Sequence, residues 1–416
     1  MVGKIEPRTL PGFRDFLPET LLIRQKVITT FARIFEKYGF SPLETPALEY
    51  QDILLGKYGP EAEQLMYLFR DQGQRDVGLR YDLTIPAARV VAQYPALPKP
   101  FKRYQIQTAY RAEKPQKGRY REFTQCDIDT FGTNSPLADA EILAIIFECL
   151  KSLGFANFII RVNSRTVLFA YMHSCNIPEE KYLPVIQSLD KLDKKPFAEI
   201  RKELTSKMID KEKVDLLLKN LYNNKPDKNL EEILNLAEKM GVPPEYLRFD
   251  PILSRGLNYY TGVIFETSVT EPKIGSLGGG GRYDQLIGQF TEMDLPAVGY
   301  SFGLDRIVDV IQELNLWPNI PKMPTRILVT VFSPSLLDKS LETASALRIN
   351  DLNTEIYPDP GVKLDKQLKY ADAKGIPFAV IIGPEEAEKN LVTLKDLATK
   401  SQQTLALPEA IKLIIG

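Results

Sequence analysis

Apolar and polar side chains alternate along two stretches, residues 103–110 and 120–131, which a basic turn at residues 114–119 separates. A period of two predicts β-strands, because successive side chains of a strand point to opposite faces. The glycine and proline in the turn predict a hairpin. One face of the second strand is mostly polar, and it carries Arg121, Phe123, Gln125, Asp127 and Asp129. Such a face is costly to order without a polar or charged partner, but a solvated face with salt bridges fits the alternation equally well.

Helical spacing of apolar residues predicts a helix over residues 19–38, which Gly39 ends. An extended segment with prolines follows. Alternation on both sides of Gln72 and Gly73 predicts a second hairpin, from residues 65–71 and 77–81. Pro86 fits the first turn of a further helix, and Thr84 suits its cap. These elements place a polar segment, Asp82 to Thr84, at a helix start.

The second half of the chain is organised differently. Residues 137–153 predict an amphipathic helix, residues 158–162 a strand, and residues 163–247 a mostly helical, lysine-rich region. A strand, a glycine and a helix follow at residues 296–311. Residues 317–325 form a proline-rich linker, beyond which strands at 326–332, 354–357, 377–383 and 392–395 alternate with helices. This alternation predicts a small α/β domain.

Composition narrows the class of protein. The 416 residues suffice for two or three domains, and the net charge of −1 excludes a bulk polyanion binder. No apolar run approaches the roughly 18 residues of a membrane helix. The single histidine excludes chemistry that needs two imidazoles. Three scattered cysteines favour neither a disulfide framework nor a zinc site, so a reducing cytoplasm fits best.

The first hairpin carries a family resemblance. Tyr-Arg-Ala-Glu from Tyr110, a basic loop, and then Gly-Arg-Tyr-Arg-Glu-Phe-Thr-Gln-Cys-Asp up to Asp127 resemble motif 2 of the class II aminoacyl-tRNA synthetases, in its histidyl form. The helix at 19–38 with its following strand resembles motif 1, the dimer interface of that family. The segment around Arg306 resembles motif 3. The whole chain therefore matches the family's motifs in order.

Two further segments are specific to the histidyl form. Asp82-Leu83-Thr84 stands where that family binds its amino acid. Arg255-Gly-Leu-Asn-Tyr-Tyr260 resembles the histidyl signature, although Asn258 stands where the signature has an aspartate, which removes a charge beside the site. A run of four glycines, residues 278–281, follows, and glycine lets the backbone approach a ligand closely.

The resemblance implies roles for these residues. Arg111 and Arg255 would be catalytic, aimed at the α-phosphate of ATP because a guanidinium binds two phosphate oxygens at once and does not titrate. The implied ATP-binding residues are Arg111, Glu113, Arg119 and Arg306. The implied histidine-binding residues are Asp82, Leu83, Thr84, Arg111, Gln125, Asp129, Arg255, Tyr259 and Tyr260. Mg²⁺ would accompany ATP, and its protein ligands are not identified.

The resemblance also implies an α+β fold. Residues 1–320 would form a class II catalytic domain, an antiparallel sheet flanked by helices with a helical insertion at about 165–247. Residues 325–416 would form an α/β anticodon-binding domain. The implied activity joins L-histidine to tRNA(His) with ATP, in a cytoplasmic homodimer that has no contact with membranes.

Two other functions remain open. A non-catalytic paralogue, such as the regulatory subunit of ATP phosphoribosyltransferase, shares the catalytic fold but lacks the C-terminal domain and usually the signature arginine, both of which this chain retains. A module that senses histidine or tRNA without turnover is the second alternative. Histidine-dependent exchange between ATP and pyrophosphate distinguishes all three.

Overall fold

The computed structural model describes residues 5–56, 63–193, 195–207, 209–272, 274–292 and 294–415. Its strands are β1 (Ser41–Pro42), β2 (Leu48–Tyr50), β3 (Leu68–Arg70), β4 (Asp76–Leu79), β5 (Phe101–Tyr110), β6 (Glu122–Phe131), β7 (Phe158–Ser164), β8 (Leu247–Phe249), β9 (Val263–Val269), β10 (Ser276–Arg282), β11 (Ala297–Gly303), β12 (Ile327–Val329), β13 (Thr354–Ile356), β14 (Phe378–Ile381), β15 (Val392–Asp396) and β16 (Gln402–Leu405). Its α-helices are α1 (Pro18–Lys37), α2 (Gln51–Leu54), α3 (Thr84–Gln93), α4 (Pro136–Ser152), α5 (Arg165–Ser174), α6 (Tyr182–Leu189), α7 (Phe197–Ser206), α8 (Lys211–Asn220), α9 (Lys228–Lys239), α10 (Leu304–Glu313), α11 (Leu337–Ile349), α12 (Leu364–Lys374), α13 (Pro384–Lys389) and α14 (Leu407–Ile415).

A large sheet organises the first 317 residues. Within the described ranges its strand order is β1-β5-β6-β11-β10-β9-β7-β8. Among the described strands of this sheet, only the two edge pairs, β1 with β5 and β7 with β8, are parallel. Helix α1 packs on this sheet through Phe31, whose ring centroid lies 4.7 Å from that of Phe302 on β11. The predicted antiparallel sheet flanked by helices is therefore confirmed.

The hairpin of β5 and β6 has the faces that its sequence predicts. Arg103 pairs with Asp129 and Gln107 with Gln125, so these side chains share one face. The opposite face carries Cys126 and Ile128, both fully buried in the core. The second strand begins at Glu122, two residues later than predicted, because the backbone N–H of Arg121 donates to the carbonyl of Gly12 instead of joining the ladder.

Helix α3 begins as predicted, with Pro86 in its first turn, but the capping residue is different. The Asp82 carboxylate accepts hydrogen bonds from the backbone N–H groups of Thr84 (3.0 Å) and Ile85 (3.1 Å). Thr84 is instead the first residue of the helix. The prediction that Thr84 caps α3 is therefore wrong, and the cap fixes the Asp82 side chain at the helix N-terminus, where a negative charge is favoured.

Helices α5 to α9 form the predicted helical region between β7 and β8. The apolar faces of α5 to α8 share a core with Leu253, Tyr260 and Ile264, which lie outside the insertion. This core joins the insertion to the segment that carries Arg255. The insertion is therefore packed against the site rather than tethered beside it.

Residues Pro318–Gly416, together with the short segment Phe16–Ile23, form a second compact unit, separate from the unit that contains Arg24–Trp317. Its sheet order is β13-β12-β14-β15-β16, with β12, β13 and β14 parallel. This confirms the predicted α/β domain, to which the structure adds β16 and α14. None of the described helices is both long and apolar enough to cross a membrane.

Candidate active site

Two adjoining cavities open at the polar face of the large sheet. The smaller has a volume of about 60 Å³ and the larger about 730 Å³. Six of the described residues line both of them: Arg111, Gln125, Arg255, Leu257, Gly279 and Ser301. The two cavities are therefore one continuous site with a narrow and a wide part.

The polar face of β6 forms the floor of the small cavity. Gln125, Asp127 and Asp129 all line it, and each is less than a tenth exposed. On the neighbouring strand β5, the fully buried guanidinium of Arg103 lies 2.6 Å from the Asp129 carboxylate. Tyr283, which follows β10, donates its hydroxyl to the other oxygen of Asp129. Asp129 is thus held from both sides.

Burial changes the protonation of this floor. It raises the pKa of Asp127 to about 8, although Arg103 acts in the opposite direction. It also raises the pKa of Asp129 to about 6, against the charge of Arg103 and the hydrogen bond from Tyr283. The two carboxylates therefore differ in pKa although they line the same cavity, because the Arg103 guanidinium is in contact with Asp129.

The remaining residues predicted to bind histidine gather around this floor, with one exception. Asp82, Thr84, Tyr259 and Tyr260 line the small cavity. Leu83 does not line either cavity. Its side chain is fully buried, and its carbonyl accepts a hydrogen bond from Arg103 at 3.3 Å.

The four predicted arginines, Arg111, Arg119, Arg255 and Arg306, all line the large cavity, as does Glu113. Arg306 is fixed by the carbonyls of Gly118 (2.6 Å) and Ser276 (2.5 Å), which accept from its guanidinium. Burial, and then the nearby charges of Arg119 and Arg111, lower the pKa of Arg306. A cluster of cations that perturb each other indicates a site for a polyanion.

Arg111 is oriented by aromatic rings. Its guanidinium carbon lies 4.2 Å from the ring centroid of Tyr81 and 5.0 Å from that of Phe123. Its Nε donates to the Tyr81 carbonyl at 3.2 Å. These contacts hold the guanidinium at the boundary between the two cavities.

Arg255 has an unusual backbone, with φ of +48°. Arg165, which is fully buried at the start of α5, donates from Nη2 to the carbonyls of Arg255 (2.6 Å) and Leu257 (2.8 Å). A non-glycine residue at positive φ persists only where its surroundings hold it there. Arg165 therefore fixes the loop that aims Arg255 at the cavities.

The glycine run makes room for this arginine. Gly279 lies on β10, and a Cβ atom built there would overlap the Arg255 guanidinium. On β11, a Cβ atom at Gly299 would overlap the carboxylate of Asp129. At these two positions the absence of a Cβ atom therefore leaves room for the side chains of Arg255 and Asp129.

Helix α6 of the insertion also reaches the site. Asp190, just after this helix, lines the large cavity. The side-chain nitrogen of Gln187 donates to the Asn258 side-chain oxygen at 3.2 Å. The unusual residue of the signature is therefore a contact point for the insertion.

The sequence did not identify every residue that shapes the site. Arg103, Tyr283 and Arg165 had no assigned role, and Asp127 was placed on the correct face without one. The period-two pattern could have assigned Asp127 to the floor. The other three depend on how segments distant in sequence align. No group of three or more metal-ligating side chains occurs among the residues that the structure describes.

Comparisons with known proteins agree over the whole chain. Residues 12–307 match the family model described as histidyl-tRNA synthetase, and residues 326–416 match the anticodon binding domain. Among curated relatives, the histidine–tRNA ligase of Rhodopirellula baltica is 41% identical, with 97% of this chain and 96% of that protein covered. That of Aeropyrum pernix is 38% identical, with 98% of each covered.

Solved structures give the same result. The histidyl-tRNA synthetase from Nostoc sp. PCC 7120 matches with a TM-score of 0.85 and 31% identity, over 99% of both chains. A structure from Bacillus halodurans, titled as an ATP phosphoribosyltransferase regulatory subunit/histidyl-tRNA synthetase, matches 88% of this chain and 97% of that one, with a TM-score of 0.74 and 22% identity. The latter likeness concerns the fold alone.

Proposed function

Because the chain belongs to the histidyl-tRNA synthetase family and is an ATP-dependent histidine–tRNA ligase, we propose that its two adjoining cavities divide the small substrates between them. The small cavity binds histidine, and the large one binds ATP. A single observation carries this proposal: Arg111 and Arg255 line both cavities. Their guanidiniums therefore lie where a carboxylate in one cavity would meet a phosphate in the other.

The small cavity suits the polar groups of histidine. Asp82, Thr84 and Gln125 accept hydrogen bonds from its α-ammonium. Asp129 accepts from a ring N–H, and Tyr260 bonds the second ring nitrogen, while Tyr259 closes the wall. A site built to pair with a polar side chain rejects an apolar analogue strongly, because its own buried groups would be left unpaired. Phenylalanine is therefore excluded by the carboxylate of Asp129.

The large cavity suits a triphosphate. Arg119 and Arg306 hold the β- and γ-phosphates, and Glu113 lies 3.2 Å from Arg119 and fixes it. Mg²⁺ on the phosphates needs only one or two protein carboxylates, which Glu113 and Glu266 in the same cavity can supply. When bound, the ion neutralises phosphate charge.

The first step needs no protein base. The histidine carboxylate is ionised at pH 7 and attacks the α-phosphate of ATP, which releases pyrophosphate and gives histidyl-adenylate. The nucleophile and the phosphate repel each other, so the site must supply positive charge where the transition state forms. Arg111 and Arg255 supply it. In the second step, a hydroxyl of the terminal tRNA ribose attacks the carbonyl carbon of the mixed anhydride. The ester forms as the bond to the phosphate breaks, and AMP leaves together with the hydroxyl proton.

We assign the catalytic domain to residues 1–320, with the insertion at about 165–247, and the anticodon-binding domain to residues 325–416. The compact unit that contains Pro318–Gly416 supports the boundary between the two domains, although the same unit includes Phe16–Ile23. All three cysteines of the chain are buried and free, which suits a reducing cytoplasm.

The chain carries both the signature arginine and the C-terminal domain, which a catalytic enzyme requires and a regulatory paralogue does not.

A homodimer is proposed from an apolar face on the small sheet of β2, β4 and β3. Tyr50 and Phe69 flank Val77 in register on this face, and Tyr50 is 54% and Phe69 44% exposed. Leu48, on the same edge strand, is 45% exposed. Clustered exposed apolar side chains indicate an interface, and twofold dimers are the commonest assembly.

Sedimentation is expected to give a dimer for the native chain and a monomer when Tyr50 and Phe69 are both replaced by glutamate, since a charge cannot be buried unpaired at such a contact. Replacing Tyr94, which is 54% exposed at the end of α3, is the matched control and should leave the dimer unchanged. A monomeric native chain would contradict the proposal.

The division of substrates is tested by the exchange of labelled pyrophosphate into ATP. Exchange is expected with ATP and histidine together and is expected to be absent with histidine omitted or replaced by phenylalanine. The tRNA is not needed, because the first step is complete without it. Exchange independent of histidine would contradict the assignment of the small cavity.

A further inference from the structure

The floor of the small cavity contains a carboxylate that the proposed binding of histidine leaves unused. Asp127 is 1% exposed and lies on β6 between Gln125 and Asp129. Its Oδ1 atom has no hydrogen-bond partner among the described residues, although it lines the cavity. Burying a charged oxygen without a partner is unfavourable, so such an atom in a binding site indicates a missing donor.

Charged groups approach Asp127 from each neighbouring element. Arg103 faces it from β5, Asp129 lies along its own strand, and Asp82 faces it from the start of α3. On β11, the Ser301 hydroxyl bonds Asp127 and also accepts from Gln125 at 2.7 Å. Arg111 and Arg255 stand at the mouth of the cavity, and the phenols of Tyr259, Tyr260 and Tyr283 complete the wall.

The positive and negative charges at the floor of the small cavity do not balance. Arg103 is paired with Asp129 at 2.6 Å. The proposed function pairs Asp82 with the α-ammonium, and Arg111 and Arg255 with the carboxylate and phosphate. Asp127 is then the carboxylate of this floor that forms no ion pair among the described residues, because Arg103, which also acts on it, is paired with Asp129. The only part of the substrate still able to carry a positive charge is its side chain.

We propose that Asp127 is a specificity-determining residue, because its carboxylate holds the histidine side chain as the doubly protonated imidazolium. This inference rests on the proposed assignment of the small cavity to histidine. Asp129 accepts one ring N–H, and Asp127 offsets the positive charge of the ring. An imidazolium carries two N–H donors, so a neutral side chain of similar shape lacks either a donor or the charge.

The proposal is tested by the state of the bound ring at pH 8.5. Free histidine is almost entirely neutral there, since its ring has a pKa of about 6.5. With ring-¹⁵N-labelled histidine on the native enzyme, NMR is expected to give both nitrogens the shifts of protonated imidazolium. A nitrogen with the shift of an unprotonated ring atom would overturn the proposal, and this measurement needs no variant.

Proton uptake then identifies the residue responsible. Calorimetry in two buffers of different ionisation enthalpy measures the protons taken up when histidine binds. Asp127 has a pKa of about 8, so at pH 8.5 it is about one-quarter protonated and releases that proton fraction when the imidazolium binds. The ring itself takes up almost one proton. The native enzyme is therefore expected to take up about three-quarters of a proton more than Asp127→Asn, in which the ring stays neutral. Equal uptake by both proteins would overturn the role of Asp127.

The matched control is Asp139→Asn. Asp139 is as deeply buried as Asp127 and pairs with Arg282 at 2.7 Å, but it lines neither cavity. Its proton uptake should equal that of the native enzyme. Histidine-dependent pyrophosphate exchange is measured first on the native enzyme. Its absence would refute the proposed function, whereas exchange with a neutral bound ring would refute only the present inference.

Discussion

Replacing Arg255 with glutamine is expected to reduce histidine-dependent pyrophosphate exchange by about 10²–10³-fold, which is the usual cost of removing one preorganised donor to a transition state. The reduction should appear in kcat more than in the KM of either substrate. Arg255 lies at the boundary of the two cavities, with a side chain 19% exposed. Burial opposes its charge, but the neighbouring Tyr260 and Glu266 raise its pKa overall.

One further variant separates the charge of Arg255 from the position of its guanidinium, and a second variant is the control. Gly279→Ala retains Arg255 and its charge but fills the space that its guanidinium occupies, so the guanidinium must move. Exchange should therefore fall while histidine still binds. Arg248→Gln, at an exposed position on β8, is the matched control and should exchange normally. A normal exchange rate in Arg255→Gln would remove the catalytic role assigned to this residue.

The parts of the site that the sequence predicted lie on single continuous segments. The face shared by Gln125, Asp127 and Asp129 follows from a period of two, which no tertiary contact can change without a shift in register. The four arginines were each placed by a motif. Their common cavity is a finding of the structure, since each motif belongs to a different element of the sheet or its loops.

What the sequence did not predict depends on pairing between distant segments. Arg103 supports Asp129 only because β5 and β6 pair in one register, and Tyr283 reaches the same carboxylate from the end of β10. Arg165 holds the Arg255 loop across 90 residues of sequence. Likewise, the cap on α3 was assigned to Thr84 from residue preference. Asp82, one residue before the N-cap, was equally able to accept these bonds and does so.

The structure shows which residue contacts Asn258, which stands where the histidyl signature has an aspartate. Its side-chain oxygen accepts from Gln187 of the insertion, and an amide can do this without adding negative charge near Asp190. The insertion and the signature segment are thus joined by a hydrogen bond between two amide side chains. The sequence showed the substitution but not the partner, because Gln187 lies 71 residues away from Asn258 in the chain.

Asp129→Asn is expected to raise the KM for histidine at least about 100-fold and to leave the KM for ATP nearly unchanged. The site loses the negative charge and one of the two oxygens that accept from a ring N–H, and sites that depend on such a bond discriminate by up to about 10⁴-fold. The same change leaves the fully buried Arg103 without its ion pair. Breaking a buried pair costs about 3 kcal/mol or more of folding free energy, so the variant should also unfold at lower denaturant concentration.

The loss of stability must therefore be separated from the loss of binding. Asp139→Asn does this, because Asp139 is equally buried, pairs with the buried Arg282 and, like Asp129, has its pKa raised by burial to about 6. Both variants should lose similar stability in denaturant titrations, but only Asp129→Asn should lose histidine. If both raise the KM for histidine equally, the effect is one of folding, and Asp129 has no specific role in recognising the ring.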